Sequence, residues 1–401
     1  MLSPTSAQTV AATLPAVGGA LDTITTRFYE RLFAAHPELL RDLFNRGNQA
    51  NGAQSQALAG AVAAFAGALL AHPDQRPDAM LARIAHKHVS LGIAPAQYEV
   101  VYTHLFGAIA EVLGEAVTEE VAAAWTEVYW LMANALIALE ASLYQQAGTA
   151  PGEVSRRYRV VGRRQETDEV VAFRVAPVDG GPLPAARPGQ YVSVQVELAD
   201  GARQIRQYSL LAGPEEALEF AVKRDGEVSA HLHDHAVEGT ELSVSAPCGD
   251  VVLEEGERPV LLASAGIGCT PMIGMLQHLA GSGAERRVLA VHGDRSPATH
   301  AFSAEFAQLT AKLPAGEAHV WYEVPGEPNG PAAGAAAPSV RTGLVDVSAL
   351  EIPAGTVAYL CGPLPFLRAV RAQLLEAGVA AADIHYEVFG PDLWLADGDA
   401  A

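Results

Sequence analysis

Residues 84–98 read Ile-Ala-His-Lys-His-Val-Ser-Leu-Gly-Ile-Ala-Pro-Ala-Gln-Tyr, and the reading of this stretch decides what the first third of the chain is. Its apolar residues fall at three- and four-residue intervals, which makes it helical. His86, Lys87 and His88 stand near its centre, and Pro95, Gln97 and Tyr98 follow. A histidine on a largely apolar helix is more often a satisfied core residue than a metal ligand. What favours ligation at His88 is the aromatic, amide and carboxylate residues that precede and follow it.

From about Ser6 to Gln146 the chain is rich in Ala and Leu at helical spacing, with little strand alternation. Breaks are expected at His36-Pro37, Asn45 to Gln56, His72-Pro73, Arg76-Pro77 and Ala94-Pro95. The longest apolar runs, Ala57 to Ala71 and Val128 to Leu139, fall short of the roughly 18 residues of a spanning helix and read as buried helices without membrane insertion. The whole chain has 401 residues, enough for two or three domains, and half of them are hydrophobic. A net charge of −20 opposes binding to nucleic acid or anionic lipid. Three widely spaced cysteines, Cys248, Cys269 and Cys361, fit neither a zinc site nor a disulfide framework and suit a reducing, cytoplasmic setting. The first basic residue is Arg27, so a secretory signal is not expected.

Tyr29 in Arg27-Phe28-Tyr29, Phe44 in Leu43-Phe44-Asn45, Gln54 and Leu58 precede Lys87-His88 at spacings that resemble a bacterial globin. With the run Asn48-Gln49, Asn51-Gly52 and Gln54, the pattern is similar to the globin domain of a flavohaemoglobin. The resemblance implies haem b, with His88 as the proximal iron ligand, Phe44 packed on the haem, and Tyr29, Gln54 and Leu58 on the distal side. It also implies Tyr98 and Glu140 around His88, and Lys87 as a residue tuning haem redox properties. These roles have a chemical logic. Haem iron takes an imidazole on one face and leaves the other for a diatomic gas, which a phenol and an amide can stabilise in a dry pocket. A carboxylate acceptor on the imidazole raises its basicity. The alternatives are a surface glutamate at 140 and a solvated lysine at 87.

Gln145 to Glu153 carries Gly148, Thr149, Pro151 and Gly152 and reads as a linker. Short β-branched runs follow at Arg159 to Val161, Val170 to Val175 and Tyr191 to Val196, the pattern of an antiparallel barrel. Within it, Arg206-Gln207-Tyr208-Ser209 follows Pro188-Gly189-Gln190-Tyr191 and precedes Gly226-Glu227-Val228-Ser229, in an order that resembles the flavin site of the ferredoxin reductase superfamily. The resemblance implies FAD, its pyrophosphate on Arg206 and its ring near Tyr208, Ser209 and Tyr191, with Gln207 in the same motif. An arginine fork suits phosphate oxygens. Where relatives carry an aromatic after Gly-Asp this chain has Val251, which puts the adenine end in doubt. His231, His233 and His235 alternate as on a strand or turn, and without cysteine or carboxylate support they are not taken as a metal site.

Pro259 to Ala263 reads as a buried strand leading to Gly266-Ile267-Gly268-Cys269-Thr270-Pro271 and an apolar helix, Met272 to Leu279. Glycines allow close backbone approach to a phosphate or ribose, and a helix start offers free N–H groups. The Thr-Pro at the helix start resembles the NAD(P)H domain of the same superfamily. Strands at Val288 to His292 and Val357 to Leu360 agree, the second running into Cys361-Gly362-Pro363, where relatives place the cysteine near the nicotinamide. The alternative for Cys361 is a small buried hydrophobe. Pro325 to Ser339 reads as a flexible surface insertion. Glu387-Val388-Phe389-Gly390-Pro391 resembles a further family signature, implying Phe389 near the flavin and Glu387 between flavin and haem.

The expected organisation is multidomain: an all-α globin (1–147), an antiparallel β-barrel FAD domain (152–256) and an α/β parallel-sheet NAD(P)H domain (257–401). By resemblance, the function is that of a nitric oxide dioxygenase using NAD(P)H, FAD and haem to turn NO and O2 into nitrate, in a protein expected to be a monomer. The alternatives are an NAD(P)H oxidase or haem-flavin reductase acting on O2 or peroxides, and a gas-binding or sensing haemoprotein. For the coenzyme, Asp294 favours ribose hydroxyls and Arg295 an extra phosphate. The lean is toward NADH.

Overall fold

The structure, a computed structural model, describes residues 1–326 and 337–390. These divide into two compact units, one built on residues 1–156 with 195–206, the other on 157–194 with 207–389.

The first unit is helical: α1 (Pro4–Ala35), α2 (Pro37–Asp42), α3 (Arg46–Ala50), α4 (Ala53–Ala71), α5 (Asp78–Leu91), α6 (Ala96–Leu113) and α7 (Glu119–Ala147). Helix α1 packs against α4, α6 and α7, and α5 against α7. Ser3 caps α1 through its hydroxyl and Thr118 caps α7, satisfying helix-start N–H groups. Ile24, Leu32, Phe65 and Leu81 are enclosed in the shared core. Truncating a residue such as Leu81 to alanine costs about 2–5 kcal/mol.

The break expected at Ala94-Pro95 is present: α5 stops at Gly92 in the left-handed region (φ 78), and Ile93 N–H closes on the His88 carbonyl at 3.0 Å. Tyr98 therefore lies on α6, whose start is closed by the Gln97 side chain accepting from Ala94 N–H at 2.7 Å. Helices α4 and α7, by contrast, are longer than their apolar runs, at 19 and 29 residues, and by length and composition each is long and apolar enough to cross a bilayer. Both contribute to the helical core, through Phe65 and Leu69 on α4 and Trp125, Val128 and Leu136 on α7.

The barrel strands are β1 (Ser155–Thr167), β2 (Val170–Pro177), β3 (Tyr191–Glu197), β4 (Arg203–Leu211), β5 (Leu218–Lys223) and β6 (Glu241–Ser245), closed in the order β1-β2-β5-β4-β3-β6. Between β5 and β6 lies α8 (Glu227–His235), so the three histidines are on a helix rather than on a strand or turn. His231 and His235, one turn apart, have rings 4.8 Å apart, while His233 is buried with Nε2 2.9 Å from the Val222 carbonyl. After the barrel, β7 (Val260–Ala265), β8 (Val288–Asp294), β9 (Gly316–Tyr322), β10 (Ser339–Thr342), β11 (Val357–Cys361) and β12 (Ile384–Glu387) form a parallel sheet ordered β10-β9-β8-β7-β11-β12. Helices α9 (Cys269–Ser282), α10 (Ser303–Lys312) and α11 (Leu364–Glu376) connect its strands. Every residue of β11 is buried, as expected where both faces of a parallel sheet are covered. Most of the insertion expected between Pro325 and Ser339 lies outside the described residues.

Candidate functional site

The turn at Gly92 brings α6 back so that Tyr98 meets His88, and α7 supplies Glu140 beside both. His88 Nδ1 lies 2.7 Å from Glu140 Oε1 and 3.0 Å from the Tyr98 hydroxyl, which is itself 2.5 Å from the same Oε1. Burial, then Glu140, pushes the Tyr98 pKa far above the ordinary phenol range. Tyr98 thus keeps its proton and donates it to Glu140. With that proton committed, Nδ1–H also points at the carboxylate, which fixes the tautomer and leaves the Nε2 lone pair for a ligand from outside the chain. Tyr129 donates to the Tyr98 carbonyl at 2.6 Å and Tyr144 to the Ile93 carbonyl at 2.8 Å, so the turn and both helices are pinned. Lys87 precedes His88 on α5 and is half-buried.

Tyr29 on α1 is buried among Phe28, Phe33 and Phe44, whose ring meets it edge-on at 5.8 Å. Burial raises its phenol pKa, and the amides of Gln54 and Gln49 oppose that rise. Gln54 opens α4 and Leu58 follows one turn on, so both lie on one helix face. Gln49, which the sequence offered only as part of a pattern, belongs to this group, with its Nε2 buried. An imidazole with a free lone pair, and a buried phenol with two amides beside it, make a donor set that fits a haem with a polar gas-binding face.

On β4, the Gln207 amide donates to Ser193 Oγ at 2.9 Å, the Tyr208 ring stacks on Phe220 at 5.5 Å, and Ser209 is buried. Tyr191 pairs with Cys248 through two backbone bonds of 2.8 Å. The preceding Gly189 (φ 104) admits no other residue, because a Cβ there would lie 2.3 Å from the Val251 carbonyl. Val251 is buried in the core of this unit. Helix α9 docks on the end of the same strand, with Gln277 accepting from Ala212 N–H at 2.6 Å.

At the C-terminal ends of the parallel strands, Gly266 to Gly268 form a tight turn into α9, with Thr270 donating to the Ile267 carbonyl at 3.0 Å. A Cβ on Gly268 would lie 2.3 Å from the Cys361 carbonyl, so glycine is what lets the turn approach Cys361-Gly362-Pro363. Cys361 pairs in register with Glu387, and burial raises its thiol pKa well above the usual range. Cys269 is raised likewise and Cys248 is pushed up to about 12, so all three free thiols are unreactive by environment. Val388 is half-buried and Phe389 and Gly390 are exposed; Pro391 lies outside the described residues.

The Asp294 carboxylate is 5% exposed and takes the Thr299 hydroxyl at 2.5 Å, the Arg295 N–H at 2.7 Å and His292 Nε2 at 3.3 Å. Arg295 is 58% exposed, pairs with Glu169 at 2.9 Å, and lines a small pocket with Asp294, Lys223, Gly266, Ile267 and Thr299.

Behind Asp294, His292 and His300 stack at 4.0 Å, and His300 Nδ1 meets the Tyr322 hydroxyl at 2.8 Å. Burial, then His292, holds the His300 pKa well below the ordinary histidine value. The unfolded chain therefore takes up this proton first as pH falls below about 6.5. The contribution is fully present above that value and lost below it. Asp294, also held low, loses its contribution only in a window below the ordinary carboxylate range. Between pH 7.5 and 5.5 the second unit is expected to lose about 1 kcal/mol, and His300→Gln to flatten that slope, in urea titrations at the two pH values.

A helical unit with a carboxylate-backed imidazole, followed by a barrel and a parallel sheet in reductase order, defines a globin fused to a pyridine-nucleotide reductase module. The family comparisons agree: residues 26–136 match the Globin family and residues 262–372 the Oxidoreductase NAD-binding domain. A flavohemoprotein of Deinococcus radiodurans is 41% identical, covering 98% of each chain, and one of Chromobacterium violaceum is 42% identical over 97% of this chain and 98% of its own. The crystal structure of a flavohemoglobin from Malassezia yamatoensis with bound FAD and heme matches with a TM-score of 0.88 at 37% identity, over 97% of this chain and 100% of that one. The FAD/NAD binding domain of nitric oxide dioxygenase from Vibrio cholerae matches 60% of this chain and 100% of its own, with a TM-score of 0.53 at 35% identity. The chain belongs to the flavohemoprotein family.

Proposed function

We propose that the chain binds haem b, FAD and NAD(P)H and acts as a nitric oxide dioxygenase, converting NO and O2 to nitrate. The observation that carries this reading is the Glu140–Tyr98–His88 network in the same helical unit as the Tyr29, Gln54 and Gln49 cluster. When bound, FAD would accept a hydride and release electrons singly, and haem iron would hold oxygen for reaction with NO. His88 Nε2 is the iron ligand, and Glu140 makes its ring more electron-donating. Tyr29 and Gln54 aim polar hydrogens at the gas-binding side, while Phe44 and Leu58 pack against the ring and exclude water. Arg206 takes the FAD pyrophosphate; Gln207, Tyr208, Ser209 and Tyr191 hold its ring system. Gly266 to Pro271, with Cys361, Gly362 and Pro363, hold the nicotinamide end, and Glu387 to Gly390 close the site. One NAD(P)H then serves two NO molecules, since a hydride carries two electrons.

Stopped-flow mixing of the oxygenated ferrous protein with NO tests this. One nitrate per haem is the expected result; superoxide or peroxide release without nitrate overturns it in favour of an oxidase. For the coenzyme, the exposed Arg295 beside the Gly266 turn supports NADPH. Arg295→Leu is expected to lower kcat/KM for NADPH by about 10-fold and for NADH by less than about 2-fold, measured by coenzyme oxidation, since a charge-assisted bond to phosphate is lost.

A further inference from the structure

Gln204 lies on β4 two residues before Arg206 and is fully enclosed. Its amide Nε2 is 3.0 Å from the Arg41 carbonyl, 3.2 Å from that of Phe44 and 3.3 Å from that of Leu40. Its Oε1 accepts from the Arg46 N–H at 3.3 Å. The last carbonyls of α2 have no partner within that helix, and six residues are too few to hold a helix by themselves. An amide supplied from β4 closes this helix end and fixes the corner that carries Phe44. Two ion pairs grip the same corner, the half-buried Asp42 with Arg203 at 2.8 Å and Arg46 with Asp200 at 2.6 Å. The enclosed amide ties it from within, through three carbonyls and one N–H group. On its other side, Gln204 Oε1 is 3.4 Å from Arg206 Nη1, which also donates to the Ile205 carbonyl at 2.8 Å. One enclosed side chain thus touches both Arg206 and the Phe44 corner.

We infer that Gln204 is a positioning residue that couples occupancy of the flavin site to retention of haem. The inference rests on the proposed roles of Arg206 toward the FAD pyrophosphate and of Phe44 toward the haem. A pyrophosphate on Arg206 competes for its guanidinium N–H groups and withdraws Nη1 from Gln204. The amide oxygen then serves Arg46 N–H alone, the corner tightens, and Phe44 is held more firmly against the haem. Coupling of this kind is reciprocal, so haem raises FAD affinity by the same factor.

The test measures haem loss to a scavenging globin, with and without saturating FAD, and hydrogen exchange of the Leu43 to Arg46 amides. FAD is expected to slow haem loss about 10-fold and to protect those amides. In Gln204→Leu both cofactors still bind and the ratio falls to within about 2-fold. A residue with a merely structural role would speed haem loss equally with and without FAD, and an undiminished ratio in Gln204→Leu overturns the inference. Should that variant fail to fold, Gln204→Asn keeps an amide on β4 but is one methylene too short to reach both Arg206 and the α2 carbonyls. It is expected to reduce the ratio about threefold, and a full ratio there also overturns the coupling. A wild-type protein that binds neither cofactor sinks the functional reading, whereas one that binds both with a ratio of one sinks the coupling alone.

Discussion

Replacing His88 by alanine is expected to yield a folded chain without stoichiometric haem, with NO consumption lower by at least about a thousandfold, because the imidazole proposed to hold the iron is gone. The Tyr98–Glu140 contact survives the change, since neither residue needs His88 to meet the other at 2.5 Å. The cost to folding is correspondingly limited: the His88 side chain is 31% exposed and makes its polar contacts only through Nδ1. Two measurements separate loss of a ligand from loss of structure. Thermal unfolding should move by only a few degrees, as for a change of about 1 kcal/mol. Free imidazole should restore a haem absorption band by occupying the vacated space and donating to Glu140 as the side chain did. Haem retained at one per chain in His88→Ala, without imidazole, would falsify the assignment.

The helices, the barrel and the parallel sheet were legible because their signals are local. Pro37, Pro73, Pro77 and Pro95 mark breaks, and the short β-branched runs after residue 155 cannot be read at helical period. What stayed hidden depends on partners far along the chain or on side-chain direction. Glu140 reaches His88 across 52 positions and Gln204 reaches Phe44 across 160, distances at which spacing carries no information. The first was anticipated only through family resemblance, the second not at all. Asp294 stands after β8 as read, but spacing did not foretell that Thr299, His292 and its neighbour's N–H would engage the carboxylate. The alternation of His231, His233 and His235 has the period of a strand, yet the same three positions on α8 put the outer two on one face and bury the middle one. Apolar runs likewise understate helix length, since α7 continues through Glu140, a residue that a hydropathy reading treats as an interruption.

Glu140 itself carries the second large expected effect. In Glu140→Gln the shape of the side chain is retained, while the acceptor facing His88 Nδ1 changes from a carboxylate to an amide oxygen. Haem should still bind, because Nε2 is untouched. The imidazole donates less electron density once the negative charge behind it is gone, so the haem potential should rise and the turnover of NO fall by about 10- to 100-fold, the usual range for loss of such a partner. Stability should change little, for a structural reason: Glu140 Oε1 takes both His88 and Tyr98 while Oε2 is buried without a partner. A carboxylate so placed is costly to enclose, and an amide relieves part of that cost. Glu140→Leu makes the contrast, since it strands the Tyr98 hydroxyl and should destabilise the helical unit by about 1–3 kcal/mol. Potentiometry and the iron–histidine stretching frequency read the electronic effect, and thermal unfolding reads the structural one. If Glu140→Gln lowers stability as much as Glu140→Leu yet leaves potential and stretching frequency unmoved, Glu140 is a packing residue and the reactivity of the haem must be set elsewhere.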